Sequence, residues 1–312
     1  MLTSISRLLL LSIGLLLATM AQGSEAIKTC AITIIFNPQN ETHQSVQQAL
    51  NNGLQQEQNT RCLITAIDYT HNQKQTITRN QDLVVSIGSK ASEWAINKVN
   101  QSPLLAIMVS SEKYKSLSTR FPGQLSAIVI DQPIARYYQL IKASMPDIQH
   151  VNTVFGSHSR KRKPEMVEQA KNYAIKLHSY TLSTHDTVLD ALNRIMTKYN
   201  SVLLTLPDPA VINRRSIRSI LLHAYHKNTP VFGFSSNYVR AGAIAAVFTT
   251  PDQFGREAAD EIILRADNKQ FSSTQMKYPS RYDIKTNTRV IKSMNLVLPS
   301  LAEIRKRMRA QP

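Results

Sequence analysis

The sequence is poor in the residues that build several specialised classes of protein. Among its 312 residues it has only 9 Gly and 2 Cys. So little glycine excludes a collagen-like chain or a long glycine linker, and two cysteines are too few for a disulfide-built scaffold or a cysteine-rich zinc domain. With 42% hydrophobic and 19% charged residues, the chain can form real cores, and its length favours two domains of about 100 to 200 residues each.

Familiar catalytic motifs are also missing. The sequence contains no G-x-S-x-G nucleophile elbow, no G-x-x-x-x-G-K-[ST] phosphate loop and no G-x-G-x-x-G dinucleotide loop. His223 and His226 lie three residues apart, but no further metal ligand accompanies them. We therefore predict a protein that is not an enzyme and that needs neither a cofactor nor a metal.

The N-terminus differs in composition from the rest of the chain. Arg7 precedes an almost unbroken apolar run, and small residues follow around Ala21 and Gly23. This order is typical of a secretory signal peptide, because a membrane span needs about 20 apolar residues and this run is nearer half that length. We predict a signal peptide at residues 1–23 and a soluble periplasmic mature protein. Cys30 lacks the preceding residues of a lipoprotein site, so no lipid anchor is expected.

Acidic residues are scarce relative to basic ones. The chain has 37 Lys or Arg against 21 Asp or Glu, a net charge of +16. The basic residues cluster at 160–163, 214–218 and 305–309. Export and the lack of interleaved aromatic residues argue against nucleic acid, so these clusters are solvated faces or surfaces that contact an anionic membrane or an acidic partner. Arg160 or Lys161 reaching the rim of a cleft would favour an anionic ligand.

Short β-branched runs alternate with segments of helical period. Each run is apolar on consecutive positions, which is typical of a strand covered on both faces. Strands that alternate with helices form parallel sheets, and a break in the alternation near Asp131 indicates two of them. We therefore predict an α/β fold of two doubly wound, Rossmann-like parallel-sheet domains. The predicted strands are 31–36, 63–67, 83–87, 104–109, 125–130, 151–155, 202–206, 231–234 and 244–248.

The loops after these strands are the predicted functional site, because ligands of open α/β sheets bind outside the carboxyl ends of the strands. The loops are rich in hydroxyl and amide groups, and the helix starts behind them can hold an anion; the alternative is that their serines are ordinary N-caps. Asp208, between two prolines, either binds a ligand amine or makes a turn or helix cap. The candidate ligand-binding residues are Asn37, Gly88, Ser89, Ser110, Ser111, Ser157, His158, Asp208, Ser235 and Ser236.

The two cysteines begin consecutive strand runs. Cys30 precedes the first run and Cys62 precedes the second, and such strands are usually parallel neighbours in a doubly wound sheet. Both thiols then lie near the same sheet edge. In an oxidising compartment we predict a disulfide between them; the alternative is two buried free thiols.

Several segments together resemble a known family. They are Asp131-Gln132-Pro133 before a helix, 151–156, 206–208, 230–234, 240–243, 254–259 and the C-terminal stretches 282–287 and 294–299. In this order they are similar to the ABC-transporter substrate-binding proteins that have the type I periplasmic binding protein fold. The resemblance covers nearly the whole mature chain. Ser110-Ser111-Glu112 stands where relatives that bind aromatic amino acids have Asp-Pro, so the ligand does not carry over.

The resemblance implies a cleft whose two domains close on a small molecule and a chain that crosses a hinge several times. We expect residues 24–131 plus 243–274 in the first domain and 132–242 plus 275–312 in the second. The expected partners are an anionic or amino-acid-like ligand and an ABC permease.

Two alternatives remain open at this point. The same fold serves as the input module of a membrane sensor in the cell envelope. An exported hydrolase would need Asp208 or His158 as a base beside a nucleophile that the sequence does not reveal.

Overall fold

A computed structural model describes residues 28–57, 60–71, 77, 81–99, 102–272 and 274–310. The predicted signal peptide lies outside these residues. Within them, no helix combines the length and the apolar character needed to cross a membrane.

Two six-stranded sheets form the framework of the molecule. The first has the order β11-β5-β4-β3-β1-β2 and the second has the order β12-β10-β9-β8-β6-β7. Every pairing is parallel except that of β12 with β10. The strands are β1 (Lys28–Phe36), β2 (Thr60–Asp68), β3 (Leu83–Ile87), β4 (Leu104–Val109), β5 (Leu125–Val129), β6 (His150–Phe155), β7 (Lys176–Thr181), β8 (Ser201–Leu204), β9 (Val231–Gly233), β10 (Ala245–Phe248), β11 (Met276–Lys277) and β12 (Asp283–Thr286).

Helices cover both faces of each sheet, which confirms the predicted fold class of two α/β domains. A short 3₁₀ helix, Ser159–Arg162, follows β6. The α-helices are α1 (Glu41–Gln56), α2 (Ser89–Ile96), α3 (Ser111–Ser118), α4 (Ile134–Ser144), α5 (Lys163–Asn172), α6 (Val188–Ile195), α7 (Ser216–His226), α8 (Ser236–Ala241), α9 (Pro251–Asp267), α10 (Thr288–Ser293) and α11 (Leu301–Ala310).

The burial of the strands explains why the apolar runs were visible in the sequence. β3 and β5 are buried at every position, because helices pack on both faces. All nine predicted runs are strands. β7 was missed, since it is an edge strand whose residues are only half-buried or exposed.

Each sheet has one apolar core on either face. On the first sheet, α1 and α9 pack on one face and α2 and α3 on the other. On the second, α4, α5 and α11 cover one face and α6 to α8 the other. The α1–α9 contact is close: a Cβ at Gly255 would lie 2.4 Å from the Val46 carbonyl oxygen. Gly255 is therefore required by the approach of the two helices.

The chain crosses between the domains three times, but two crossings lie later than predicted. β10 remains in the second sheet, so the chain returns to the first domain after Phe248 and not at Ala243. β11 still pairs with β5, so the last crossing follows Lys277 and not residue 274. The apolar run at 244–248 gave no sign of this, because it is equally suited to either sheet.

The predicted disulfide is present. Cys30 and Cys62 are direct partners in the parallel pair β1–β2, their Cα atoms are 4.4 Å apart, and they are bonded to each other. The expectation of neighbouring strands with adjacent thiols is confirmed.

Candidate functional site

A cavity of about 250 Å³ lies between the two domains. Its walls come from the start of α3, the crossover after β5, the 3₁₀ helix after β6, the loop after β8 and the chain after β11. These are mainly strand-end segments of both sheets. The lining residues are Ser110, Ser111, Glu112, Lys115, Asp131, His158, Ser159, Lys161, Arg162, Glu165, Leu206, Pro207, Pro209 and Tyr278.

On the first-domain side, the start of α3 is fixed by side chains that follow two neighbouring strands. Ser110 caps the helix, because its hydroxyl accepts from the Lys113 backbone N–H at 3.1 Å. The Ser111 backbone N–H donates to Asp131 Oδ2 at 2.6 Å. Asp131 lies two residues after the end of β5, the strand beside β4, and is buried. A carboxylate at a helix N-terminus is favoured by the helix dipole. This bond holds the helix start against the first crossover.

On the second-domain side, Asp208 fixes the 3₁₀ helix. Its Oδ2 accepts from the backbone N–H groups of His158 at 3.0 Å and Ser159 at 2.7 Å, and from the Ser159 hydroxyl at 2.7 Å. Its Oδ1 accepts from the Ala210 N–H at 3.0 Å. The side chain is 1% exposed. Gly156 is required beneath it, since a Cβ there would lie 2.6 Å from Oδ1.

Arg162 is the central cation of the cavity. Its side chain is 10% exposed, and Nη2 donates to the Gln132 carbonyl oxygen at 2.9 Å. Nη1 lies 3.7 Å from Asp131 Oδ1, too far for a hydrogen bond, and is buried without a hydrogen-bond partner. Although burial opposes the charged form, nearby groups led by Tyr137 and Glu165 raise the pKa of Arg162, so the guanidinium remains charged.

Glu112 provides the opposite charge on the first domain. Its Oε1 accepts from Lys161 Nζ of the second domain at 2.7 Å, which joins the domains beside the cavity. Its Oε2 is buried and has no hydrogen-bond partner. A buried unpaired carboxylate oxygen costs free energy, as does a buried unpaired guanidinium N–H. The cavity therefore offers one unused acceptor and one unused donor of opposite charge.

The structure brings three of the predicted residues into this cavity, namely Ser110, Ser111 and His158. The others lie at strand ends but do not line it. Asn37 Oδ1 accepts from the Gln39 N–H; Gly88, with φ of 88°, leads into α2, which begins at Ser89; the Ser157 hydroxyl is 3.1 Å from His158 Nδ1; and Ser235 caps α8, which begins at Ser236.

Asp208 was expected either to bind a ligand amine or to make a turn or helix cap, and its hydrogen bonds favour the second of these roles. Both carboxylate oxygens are occupied by neighbouring donors, and the neighbouring prolines, not Asp208, face the cavity. The alternative of a turn-making and capping aspartate fits these contacts. Asp208 anchors the loop that carries the 3₁₀ helix.

The most informative cavity residues were missed in the sequence. The basic run at 160–163 drew attention to Arg160 and Lys161, yet Arg162 is the buried member of the run. Glu112 was noted only as a departure from relatives. A signal was available, since an acid directly after a predicted helix cap lies in the first helical turn and points near the strand ends.

The described residues contain no group of three or more His, Cys, Asp or Glu side chains arranged to hold a metal ion. His223 lies on α7, its pKa lowered by burial and then by Lys227 and His226. The cavity has the shape and polar groups of a binding site for a small organic molecule.

The chain resembles solved structures over most of its length. A ligand-free, open substrate binding protein with adhesive properties from Clostridium difficile is 17% identical, with a TM-score of 0.64 over 87% of this chain and 96% of that chain. A conserved domain protein from Vibrio cholerae is 19% identical, with a TM-score of 0.57 over 90% and 98% of the two chains. An ABC domain in complex with L-Trp from Streptococcus pneumonia is 13% identical, with a TM-score of 0.57 over 90% and 98%.

These likenesses show the fold of the type I periplasmic binding proteins. No match was found among the curated proteins. A family model described as ABC transporter substrate binding protein matches residues 32–298. Since this match covers most of the sequence, the chain belongs to the family of ABC transporter substrate-binding proteins.

Proposed function

We propose that the protein is a periplasmic solute-binding protein that closes its two domains on a small molecule with both an acid and an amine group, and delivers it to an ABC importer. One observation supports this ligand class above all. Arg162 Nη1 and Glu112 Oε2 are both buried without a hydrogen-bond partner, and both residues line the same cavity.

A zwitterionic ligand satisfies both atoms at once. Its carboxylate accepts from Arg162 Nη1, and its ammonium donates to Glu112 Oε2, each through a charge-assisted hydrogen bond. The charges of the cavity are otherwise balanced, which suits a ligand without net charge better than a simple anion. The acids are Asp131, Glu112 and Glu165, and the bases are Lys115, Lys161 and Arg162.

The contacts across the cavity support a role for domain closure. The Lys161–Glu112 ion pair joins the two domains, and Arg162 reaches Gln132 at the first crossover. A ligand between Arg162 and Glu112 adds a further link between the domains. Closure of this kind gives a membrane partner a distinct shape to recognise when the ligand is bound.

Calorimetric titration with free amino acids, and with analogues that lack either the amine or the acid group, tests the proposal. We expect binding of the zwitterion and a loss of about ten- to a hundred-fold for either analogue, because each leaves one buried atom, Glu112 Oε2 or Arg162 Nη1, without a hydrogen-bond partner. Glu112→Gln removes the charge that meets the amine, so it should weaken the zwitterion by a similar factor.

Arg160→Gln is the control variant. Arg160 lies on the same 3₁₀ helix as Arg162 but does not line the cavity. Its affinity for the zwitterion should equal that of the wild type. Equal affinity in Glu112→Gln and wild type, or equal binding of analogues that lack the amine, would reject the proposed ligand class.

A further inference from the structure

The three crossovers between the domains are tied to one another by hydrogen bonds. They follow β5, β10 and β11 and comprise residues 130–133, 249–250 and 278–282. Gln132 Nε2 of the first crossover donates to the Thr249 hydroxyl of the second at 2.9 Å. That hydroxyl donates in turn to the Arg281 carbonyl oxygen of the third at 2.8 Å. The Thr249 hydroxyl therefore links all three segments.

Arg136, in the first turn of α4, closes this chain of hydrogen bonds into a ring. Its Nη1 donates to Gln132 Oε1 at 2.5 Å and to the Pro279 carbonyl oxygen at 2.9 Å. Its guanidinium also lies 4.3 Å from the centre of the Tyr282 ring, a cation–π contact. Gln132 is buried, so its amide oxygen has no water to replace a lost donor. We define the crossover ring as Gln132, Arg136, Thr249 and the backbone of residues 279–281.

The crossover ring reaches the cavity at two points, and both points hold Arg162. The Gln132 carbonyl oxygen accepts from Arg162 Nη2 at 2.9 Å. The Arg162 guanidinium lies 5.8 Å from the centre of the Tyr278 ring, and Tyr278 directly precedes Pro279. The guanidinium is thus held between the first crossover and the third. Its position depends on the separation of these two crossovers, which the ring fixes.

We infer that Arg136 is a positioning residue for ligand binding, because through the crossover ring it holds the two crossovers that fix the Arg162 guanidinium. Arg136 itself does not line the cavity. The inference rests on the proposed function, in which Arg162 binds the acid group of the ligand. A binding group keeps its geometry only when neighbouring residues hold it in place, and a fully paired hydrogen-bond network provides that rigidity.

Arg136→Met tests this role directly. Methionine fills much of the space of the arginine stem but donates no hydrogen bond, so Gln132 Oε1 and the Pro279 carbonyl oxygen lose their shared donor. Calorimetric titration with free amino acids should then show binding about tenfold weaker than in the wild type, because a small displacement of a binding group reduces its contribution strongly.

Nuclear magnetic resonance of protein labelled with ¹⁵N-arginine follows the Arg162 guanidinium without any added amino acid. In the wild type, the two Nη atoms of Arg162 should give separate signals, because the bond to Gln132 restricts rotation of the group. In Arg136→Met the two signals should merge as this restraint is lost. The spectrum of Arg162→Lys identifies the signals by their disappearance.

Two substitutions of Thr249 test the ring without a change at Arg136. Valine has the shape of threonine but no hydroxyl, so Thr249→Val breaks the link among the three crossovers. It should merge the Arg162 signals and weaken amino-acid binding in the same direction as Arg136→Met. Thr249→Ser keeps the hydroxyl and should behave as the wild type. This pair decides the matter even if Arg136→Met does not fold.

Lys142→Met is the matched control. Lys142 lies on the same helix and donates to two carbonyl oxygens of its own domain, those of Pro146 at 3.3 Å and Ile148 at 2.7 Å. The variant therefore loses the same charge and a similar pair of bonds, at the other end of α4. We expect wild-type Arg162 signals and wild-type affinity for amino acids, although the urea midpoint should fall.

The inference is overturned if the Arg162 signals are already merged in the wild type, or if they stay separate in both Arg136→Met and Thr249→Val. Equal changes in Lys142→Met or in Thr249→Ser would also overturn it, since the effect would then not depend on the ring. A failure of the proposed function appears instead as a wild type that binds no amino acid. The Arg162 signals, recorded without amino acids, decide the positioning role in that case as well.

Discussion

Asp208→Asn distinguishes an aspartate that anchors a loop from one that binds a ligand. The carboxylate is almost fully buried and accepts four hydrogen bonds, three at Oδ2 and one at Oδ1. An asparagine keeps one acceptor oxygen and turns its NH₂ toward a donor, either the Ala210 N–H or the donors around Ser159. At least one charge-assisted hydrogen bond is lost, and the others become weaker.

Since a hydrogen bond to a charged group contributes about 1.5 to 3 kcal/mol, the variant should lose about 3 kcal/mol of unfolding free energy. Urea unfolding followed by circular dichroism measures this loss as a lower midpoint at an unchanged slope. Ser159→Ala removes the hydroxyl that donates to Asp208 and accepts from the Gly156 N–H, and it should cost about 2 to 3 kcal/mol. If Asp208→Asn unfolds at the wild-type midpoint and instead loses affinity for the ligand, the carboxylate binds the ligand and the anchoring role is wrong.

Three further predictions concern the framework. Gly255→Ala should lose about 1 to 3 kcal/mol in urea unfolding, because its Cβ would lie 2.4 Å from the Val46 carbonyl oxygen; wild-type stability would show that α1 and α9 can separate without cost. The unfolded, unreduced protein should show no free thiol from Cys30 or Cys62, and reduction should cost about 3 to 4 kcal/mol in the chain-entropy model; two free thiols would refute the bridge. Burial, and then the nearby positive charges, lower the pKa of His178. The unfolded state therefore binds a proton at a higher pH than the folded state, and the free energy of unfolding falls as the pH drops below about 6.5. His178→Gln should lose less of this free energy than the wild type between pH 7 and pH 5, and an identical pH profile of the two proteins would contradict this.

Much of the framework could be predicted from the sequence, because strands that are buried on both faces have apolar residues at consecutive positions. The nine apolar runs became strands, and the segment after Pro133 became α4. The pairing of Cys30 with Cys62 followed from the neighbouring positions of consecutive strands in doubly wound sheets. β7 was not predicted, because an edge strand does not need an unbroken apolar run. The positions of the domain crossings after Phe248 and Lys277 could not be predicted, because they depend on which of the two sheets β10 and β11 pair with.

The residues that line the cavity were harder to predict from the sequence. Its location at the strand ends followed from the fold, and Ser110, Ser111 and His158 are among its lining residues. The sequence did not show which charged residue of the run 160–163 points into the cavity. Arg162 differs from its basic neighbours only in its position on a single 3₁₀ turn. The role of Asp208 depended on donors in another loop, fifty residues away for His158, and these contacts exist only in the folded protein.

Native mass spectrometry of the protein purified without added ligand tests the central claim most directly. We expect one small molecule per chain, with both an acid and an amine group. Its occupancy should fall sharply in Glu112→Gln and remain at the wild-type level in Arg160→Gln. A wild-type protein that carries no small molecule and gains none from a panel of zwitterions, or that retains the same ligand in Glu112→Gln, would contradict it.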